Sequence, residues 1–555
     1  MEKQPTNHYS SKNLGHLGIL AGIMKKTKLI ERIDKRMPIS KAKGAKVTMG
    51  ERISAMVFNA IGFIDSRLYM FPDFLGHKPV NKLLGPHLTA KDFTDDALGR
   101  CLDSIYDYGP SQLVSHLAFE IGAQFNLLGK TIHIDTTTLT LYGDYSLTET
   151  KAVPPPKITY GYAKNKRMDL KQVILNLAIS TKADLPLFMA AHDGNASDQK
   201  TLVQAAQHIE KCCKTLENTP DFIYVADSAA YESCLKEANN IHWISRVPMQ
   251  RQAAKQFIKN RASYRFTSID DGYKISCQQV QVGGVEQRWL LVYSQQARDR
   301  AEKTLTRRKE KESLEIAKTL KQLSHQQFSC GADAAKALKA LSKQWVYHQI
   351  ASRRVSPIEQ YAKRGKPQSG AKKHIVGYHI HATVSEATEK LATILATKSH
   401  FIIATNQLDA SVLSDQDMLQ EYKGQQKVER GFAFIKDHTF EVSSVFLKKP
   451  SRISALMAVM VLSLFIYSLT QYLLRTTLQS QGESIPNQLK KPTQSPTGKW
   501  VFFLFRSVQV LEIKTMDTGP PQAIVINLTP LLEHILGYFG KETMALYDIA
   551  MPQKD

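Results

Sequence analysis

Four residues in one short stretch carry groups that can handle a phosphodiester. Read as a helix at about 100° per residue, 422–437 places Tyr422, Gln425, Glu429 and Lys436 within roughly 60° of one another. Val428, Gly431, Phe432 and Ile435 fall on another side, suited to packing on a core. One face thus aligns a phenol, an amide, a carboxylate and an ammonium. A carboxylate can hold a metal ion, and a lysine or tyrosine can hold phosphate oxygens. Taken alone, the same pattern also suits a solvated polar face. Two further acids change the balance. Asp135 follows the alternating run Thr131-Ile-His-Ile134, and Asp227 ends the apolar run Phe222-Ile-Tyr-Val-Ala226.

The elements that must position these groups can be read in order. Residues 131–248 give strand, strand, strand, helix, strand, helix, strand. The strands fall at 131–142, Gln172–Ser180, Leu185–Ala191, Phe222–Ala226 and Ile241–Val247. That order predicts a mixed sheet flanked by helices. If its first and fourth strands are neighbours, Asp135 and Asp227 stand side by side although 92 residues apart in sequence. Adjacent carboxylates repel, and a divalent cation between them removes the repulsion. His133 shares a face with Asp135; a histidine beside an acid is more often structural than a ligand.

The chain has 555 residues, 43% of them hydrophobic, enough for several domains with real cores. Lys and Arg number 73 against 51 Asp and Glu, a formal charge of +22. Residues 246–400 hold 29 of the former and 12 of the latter, so +17 sits in one segment. A chain this basic points to a polyanion, nucleic acid first. The segment reads as strands, two long basic helices (297–323 and 332–349), the loop 363–373 with five positive charges, and a strand pair at 374–384 and 401–405. Residues 1–125 read as helical with frequent Lys and Arg, including Lys41 and Lys43. A DNA-binding domain and a helical packing or dimerisation domain both fit.

Six cysteines show neither metal-ligand spacing nor a disulfide framework, which points to a reducing, cytoplasmic setting. The N-terminus lacks the apolar core of a signal peptide. The apolar run 453–474 is long enough to span a bilayer. Ser454, Ser463, Ser468, Thr470 and Gln471 interrupt it, so a buried helix and no membrane partner are expected. Residues 480–499 read as a linker, 500–511 and 523–527 as short strands, and 529–539 as a helix.

These residues reach a known family. His133-Ile-Asp135-Thr-Thr-Thr, Gly161-Tyr-Ala-Lys-Asn-Lys-Arg-Met-Asp-Leu-Lys171, Asp193-Gly-Asn-Ala-Ser-Asp198, Ala226-Asp227-Ser-Ala, Trp243-Ile-Ser-Arg-Val-Pro248 and the Tyr422–Lys436 stretch resemble those of DDE transposases of bacterial insertion sequences. The subgroup resembled is the insertion sequence family four superfamily, whose signature is a spaced tyrosine, arginine, glutamate and lysine. Tyr422, Glu429 and Lys436 stand at three of those places, and Gln425 replaces the arginine. A phosphate contact there would come from the neutral amide or from Lys423, Lys427 or Arg430.

The resemblance implies an α/β fold: an RNase H-like mixed-sheet catalytic core, interrupted by a β-rich and helical insertion, behind a helical N-terminal domain. The expected divisions are 1–125, core 126–248, insertion 249–405, core 406–478 and C-terminal linker and tail 479–555. It implies Asp135, Asp227 and Glu429 as catalytic metal ligands, with Tyr422, Gln425 and Lys436 on DNA phosphates. It implies two Mg²⁺ ions, with Mn²⁺ as substitute. The expected partners are double-stranded DNA, as terminal inverted repeats and target, and a second copy of the chain in a synaptic complex. The expected activity is metal-dependent strand cleavage and strand transfer in cut-and-paste transposition. Two alternatives stand beside it: a nuclease without strand transfer, and a DNA-binding relative without catalysis. Trp289 and Trp345 are candidates for stacking a flipped base, although core packing accounts for either.

Overall fold

The computed structural model describes residues 8–39, 45–62, 70–145, 149–162, 167–197, 201–213, 221–237, 241–269, 272–362, 365, 370–436, 447–514 and 522–550. Lys41, Lys43, residues 163–166 of the basic loop, Asp198 and Asp437 lie outside the described residues. The chain divides into two units, 1–245 with 419–555, and 246–418.

A short strand, β1 (His8–Asn13), precedes seven helices: α1 (Leu17–Lys26), α2 (Leu29–Arg36), α3 (Met49–Ile61), α4 (Phe71–Gly76), α5 (Val80–Leu83), α6 (Asp95–Tyr108) and α7 (Pro110–Gln124). Local chemistry sets their ends. Thr48 and Glu51 close a reciprocal capping box on α3. The α6 to α7 corner turns at Gly109, φ +104°, where only glycine is at ease, and Pro110 opens α7 with its φ already helical.

The mixed sheet follows: β2 (Thr131–Leu141), β3 (Lys171–Ser180), β4 (Leu185–His192), then α8 (Thr201–Cys213), β5 (Ile223–Ala226), α9 (Tyr231–Glu237) and β6 (His242–Arg246). Its order is β4-β3-β2-β5-β6. The first three strands are antiparallel, while β2/β5 and β5/β6 are parallel. This is the RNase H-like arrangement: an antiparallel meander whose first strand also pairs with a strand delivered by a helical crossover.

The second unit is α/β as well. It runs through α10 (Gln252–Lys259), β7 (Thr267–Ile269), β8 (Tyr273–Val282), β9 (Val285–Ser294), α11 (Gln295–His325), α12 (Gly331–Ser342), β10 (His348–Tyr361), β11 (Lys373–Glu386), α13 (Thr388–Ser399) and β12 (His400–Thr405). Strands β12, β9, β8 and β7 are antiparallel neighbours in that order. The expected pairing of 374–384 with 401–405 does not occur. β11 pairs instead with β10, and β12 with β9. β10 escapes sequence reading because its residues are mostly exposed and show no apolar alternation. Ile316, Phe328, Ala334, Leu338, Trp345 and Ile380 form a core between α11, α12 and this strand pair.

The chain continues through α14 (Asp415–Lys423), α15 (Gln426–Ile435) and α16 (Pro450–Gln481). α16 is the apolar run, and it is the one described helix long and apolar enough to cross a membrane. It lies mostly buried against α1, α3, α6, α7 and β4, as a core helix does. The presumed linker holds the short strands β13 (Ile485–Pro486) and β14 (Pro492–Thr493). α17 (Gly498–Leu504) stands where a strand was expected; Thr497 caps it by accepting the Trp500 N–H. β15 (Gln509–Lys514) and β16 (Gln522–Ile526) pair with each other, and β15 also with β1. Helices α18 (Pro530–Gly537) and α19 (Lys541–Leu546) end the described chain.

Candidate active site

Asp135 sits half-buried in the middle of β2, and its Oδ1 accepts the Thr136 N–H at 2.7 Å. Parallel pairing aligns Thr131 with Ile223, Ile132 with Tyr224 and His133 with Val225. Carried two residues further, the same register sets Asp135 level with Asp227, one position past the end of β5. Neighbouring strands lie about 5 Å apart, so the two positions stand side by side at the carboxyl end of β5. Asp227 is exposed. Its Oδ1 accepts the Ala229 N–H at 3.0 Å and its carbonyl accepts the Ser245 hydroxyl at 2.7 Å. Both bonds hold the turn that presents it.

The face of β2 that carries Asp135 also carries His133, and on β3 their partners are Leu177 and Ile179. α15 packs on this face. A Cβ on Gly431 would come within 2.8 Å of Ile179 Cδ1 and 3.4 Å of Leu177 Cδ2. Buried Val428, Phe432 and Ile435 complete the contact side of the helix, and Glu429 in its first turn is exposed.

The expected single helix from 422 is broken. α14 ends at Lys423 and α15 starts at Gln426, with three-residue bonds from Lys427 N to Gly424 O (2.9 Å) and Val428 N to Gln425 O (3.1 Å) tightening the corner. The corner packs closely on His133: a Cβ on Gly424 would lie 3.0 Å from the Glu421 carbonyl oxygen and 3.1 Å from the imidazole Cε1 and Nε2. Half-buried Tyr422 therefore belongs to α14. Half-buried Gln425 lies in the corner, Glu429 sits on α15, and exposed Lys436 caps its end.

Sequence reasoning missed Glu421, the residue that anchors this corner. His133 is fully buried, with Nε2 3.5 Å from Glu421 Oε2, the long limit of a hydrogen bond. Glu421 also accepts the Thr131 hydroxyl at 2.6 Å, and that hydroxyl lies 2.8 Å from the hydroxyl of Thr181. Burial raises the Glu421 carboxyl, but contacts from His133 and Thr131 and the Lys427 charge prevail and hold it below its ordinary range. Lys427 donates to the Thr181 carbonyl and lies 3.4 Å from Asp184; Arg430 lies 4.0 Å from the same carboxylate. Two of the cations available to replace the missing arginine thus anchor α15 to the β3–β4 turn.

The acidic pair suits a hard, hydrated cation. Its donors are carboxylate oxygens, open to solvent on the Asp227 side, and Mg²⁺ commonly takes one or two carboxylates plus water and substrate phosphate. Among the described residues no three His, Cys, Asp or Glu side chains converge to enclose an ion.

In the second unit, α11 presents exposed Lys303, Arg307, Arg308, Lys311, Lys318 and Lys321, and β10 exposed Arg353 and Arg354. Trp289 and Trp345 are 1% and 6% exposed. Trp289 donates to Gln287 Oε1 at 3.0 Å and packs edge-on against Phe257, while Trp345 belongs to the α11–α12 core. Neither offers a free face to a base.

A family model described as "Transposase DDE domain" matches residues 129–466, and one described as "Domain of unknown function (DUF4277)" matches residues 9–119. No curated protein matches the chain significantly. Among solved structures, a piggyBac transposase synaptic complex with hairpin DNA is similar over 90% of this chain and 83% of that one, at 12% identity and a TM-score of 0.33.

Proposed function

The chain belongs to the DDE transposase family, and on that premise we propose that it cuts DNA at the ends of an insertion sequence and joins the freed ends to a target. Its place in the insertion sequence family four superfamily is part of the same proposal. The observation that supports the reading is the β2/β5 register, which levels Asp135 with Asp227 at the carboxyl end of β5, on a sheet face that α15 covers through Gly431.

When bound by Asp135, Asp227 and Glu429, Mg²⁺ or Mn²⁺, as two ions, would supply Lewis-acid polarisation of the phosphodiester and a lowered pKa for bound water. Asp135 and Asp227, held by strand pairing and by the turn bonds of Asp227, fix where the phosphate is attacked. α15 presents Glu429 as the third carboxylate. Tyr422 and Lys436 give a hydroxyl and an ammonium for non-bridging oxygens, and Gln425 a neutral amide. Water is the nucleophile for nicking and a DNA 3′-hydroxyl for joining. Both are in-line displacements at phosphorus, so one site serves both steps. The exposed cations of α11 and β10 hold double-stranded DNA through its backbone. Terminal repeats and target DNA are the partners, and two protomers hold two ends in a synaptic complex. The proposed divisions are those given by sequence: end binding at 1–125, core at 126–248 and 406–478, insertion at 249–405, tail at 479–555. The proposed setting is the bacterial cytoplasm.

The test uses full-length protein, Mg²⁺ or Mn²⁺, and labelled DNA carrying the element's own ends. Asp135→Ala, Asp227→Ala and Glu429→Ala should each abolish cleavage at unchanged DNA binding, and wild-type protein should yield joined products. Cleavage without joining would reduce the protein to a nuclease; cleavage that survives Glu429→Ala would remove α15 from the site.

A further inference from the structure

We propose that a second pocket in the first unit, lined by none of the acidic site residues, binds a phosphodiester of DNA. It encloses about 350 Å³, within the range of small-ligand pockets. His16, Lys78, Lys499, Phe502, Phe503 and Arg506 line it, and no carboxylate does among the described residues.

Lys78 is the central observation. The residue is 7% exposed, and among the described residues its ammonium has neither a hydrogen bond nor an ion pair. Its one contact of that kind is the Phe74 ring, 5.5 Å from Nζ to centroid. The stem of Lys78 is buried, and an anion entering the pocket would give its ammonium a counter-charge that no described residue supplies. Burial accordingly lowers the Lys78 pKa. His16 adds no charge: burial lowers its pKa to about 4, so at neutral pH it is a flat wall stacked on Phe502, 4.6 Å between ring centroids.

The surroundings specify the kind of anion. Phe503 is 50% exposed. The Arg506 guanidinium lies 3.8 Å from its centroid, and the Trp500 ring lies 5.6 Å away at 20°. A cationic pocket beside a ladder of flat groups suits a phosphate with a nucleobase or sugar laid against the ladder. The assignment to DNA rests on the transposase reading; the anion site itself does not.

The experiment measures binding of a short fluorescent duplex with an unpaired thymidine end, by full-length protein in EDTA, across a KCl series. Lys78→Met and Arg506→Gln should each weaken binding about tenfold and lower the salt slope by about one. Phe503→Ala should weaken binding at unchanged slope. Lys78→Met keeps the buried stem and removes only the charge, so its melting temperature should match that of wild type, which separates lost binding from lost fold. Inorganic phosphate alone should raise the melting temperature of wild type and not of Lys78→Met. Unchanged affinity and slope in both charge variants would overturn the proposal, as would a wild type that fails to bind the duplex. Phosphate protection with unaltered DNA binding would overturn the assignment to DNA. Because EDTA removes any need for cleavage, failure of the catalytic reading would show separately, as binding without cutting once Mg²⁺ is added.

Discussion

The places of Asp135 on β2 and of Asp227 just past the end of β5 were legible because strand periodicity survives without tertiary context. Glu421 was not, because its partners His133 and Thr131 are about 290 residues away, and nothing local distinguishes it from any other acid in a polar helix. Its position makes a sharp prediction. Glu421→Gln should destabilise the protein by about 1–3 kcal/mol at neutral pH, measured by urea unfolding. The folded Glu421 carboxyl titrates below its ordinary value of 4.5. The unfolded chain therefore takes up the proton first as the pH falls. Stability from this group is full above that value and is lost as the pH drops through the folded-state pKa. The gap between wild type and Glu421→Gln should thus close below pH 4.5, and a gap that persists in acid would assign its loss to packing instead.

At the scale of elements, amphipathic periodicity gave the buried face of α15 but not the corner that leaves Tyr422 on α14. The 3.6-residue rhythm runs on through Gly424, and the ring packed against that glycine belongs to β2. α17 was misread for a related reason: a short apolar run suits strand and helix alike, and the Thr497 cap was the only local arbiter. Gly431 tests whether the seat of α15 governs activity. In Gly431→Val the new side chain enters the space held by Ile179 Cδ1 and Leu464 Cδ2, which lie 2.8 and 3.2 Å from where its Cβ would stand. The expected cost is roughly 1–3 kcal/mol, with cleavage falling much further than DNA binding as Glu429 is displaced. Equal losses of both would mean that the helix does not carry a site residue.

For the molecule as a whole, the excess of positive charge was visible in composition, and the segment that carries it is the unit 246–418 with exposed cations along α11 and β10. Acid should act elsewhere, on the first unit. His16 is buried, with its pKa lowered by that burial from 6.5 to about 4. The unfolded chain protonates this group first, so stability present above pH 6.5 should fall by roughly 3 kcal/mol in all as the pH approaches 4. His16→Gln keeps a donor for the Ile61 carbonyl and should flatten that limb of a melting-temperature profile; an unchanged profile would place the acid sensitivity elsewhere. The pairing of β1 with β15 reaches from His8 to Lys514, and it sets a schedule for biosynthesis. β1 is made about 500 residues before the strand it pairs with, and Glu429 emerges long after Asp135 and Asp227. On the proposed reading, a nascent chain stalled in the second unit would carry Asp135 and Asp227 without Glu429, and β1 without its partner, and should be unable to cut DNA.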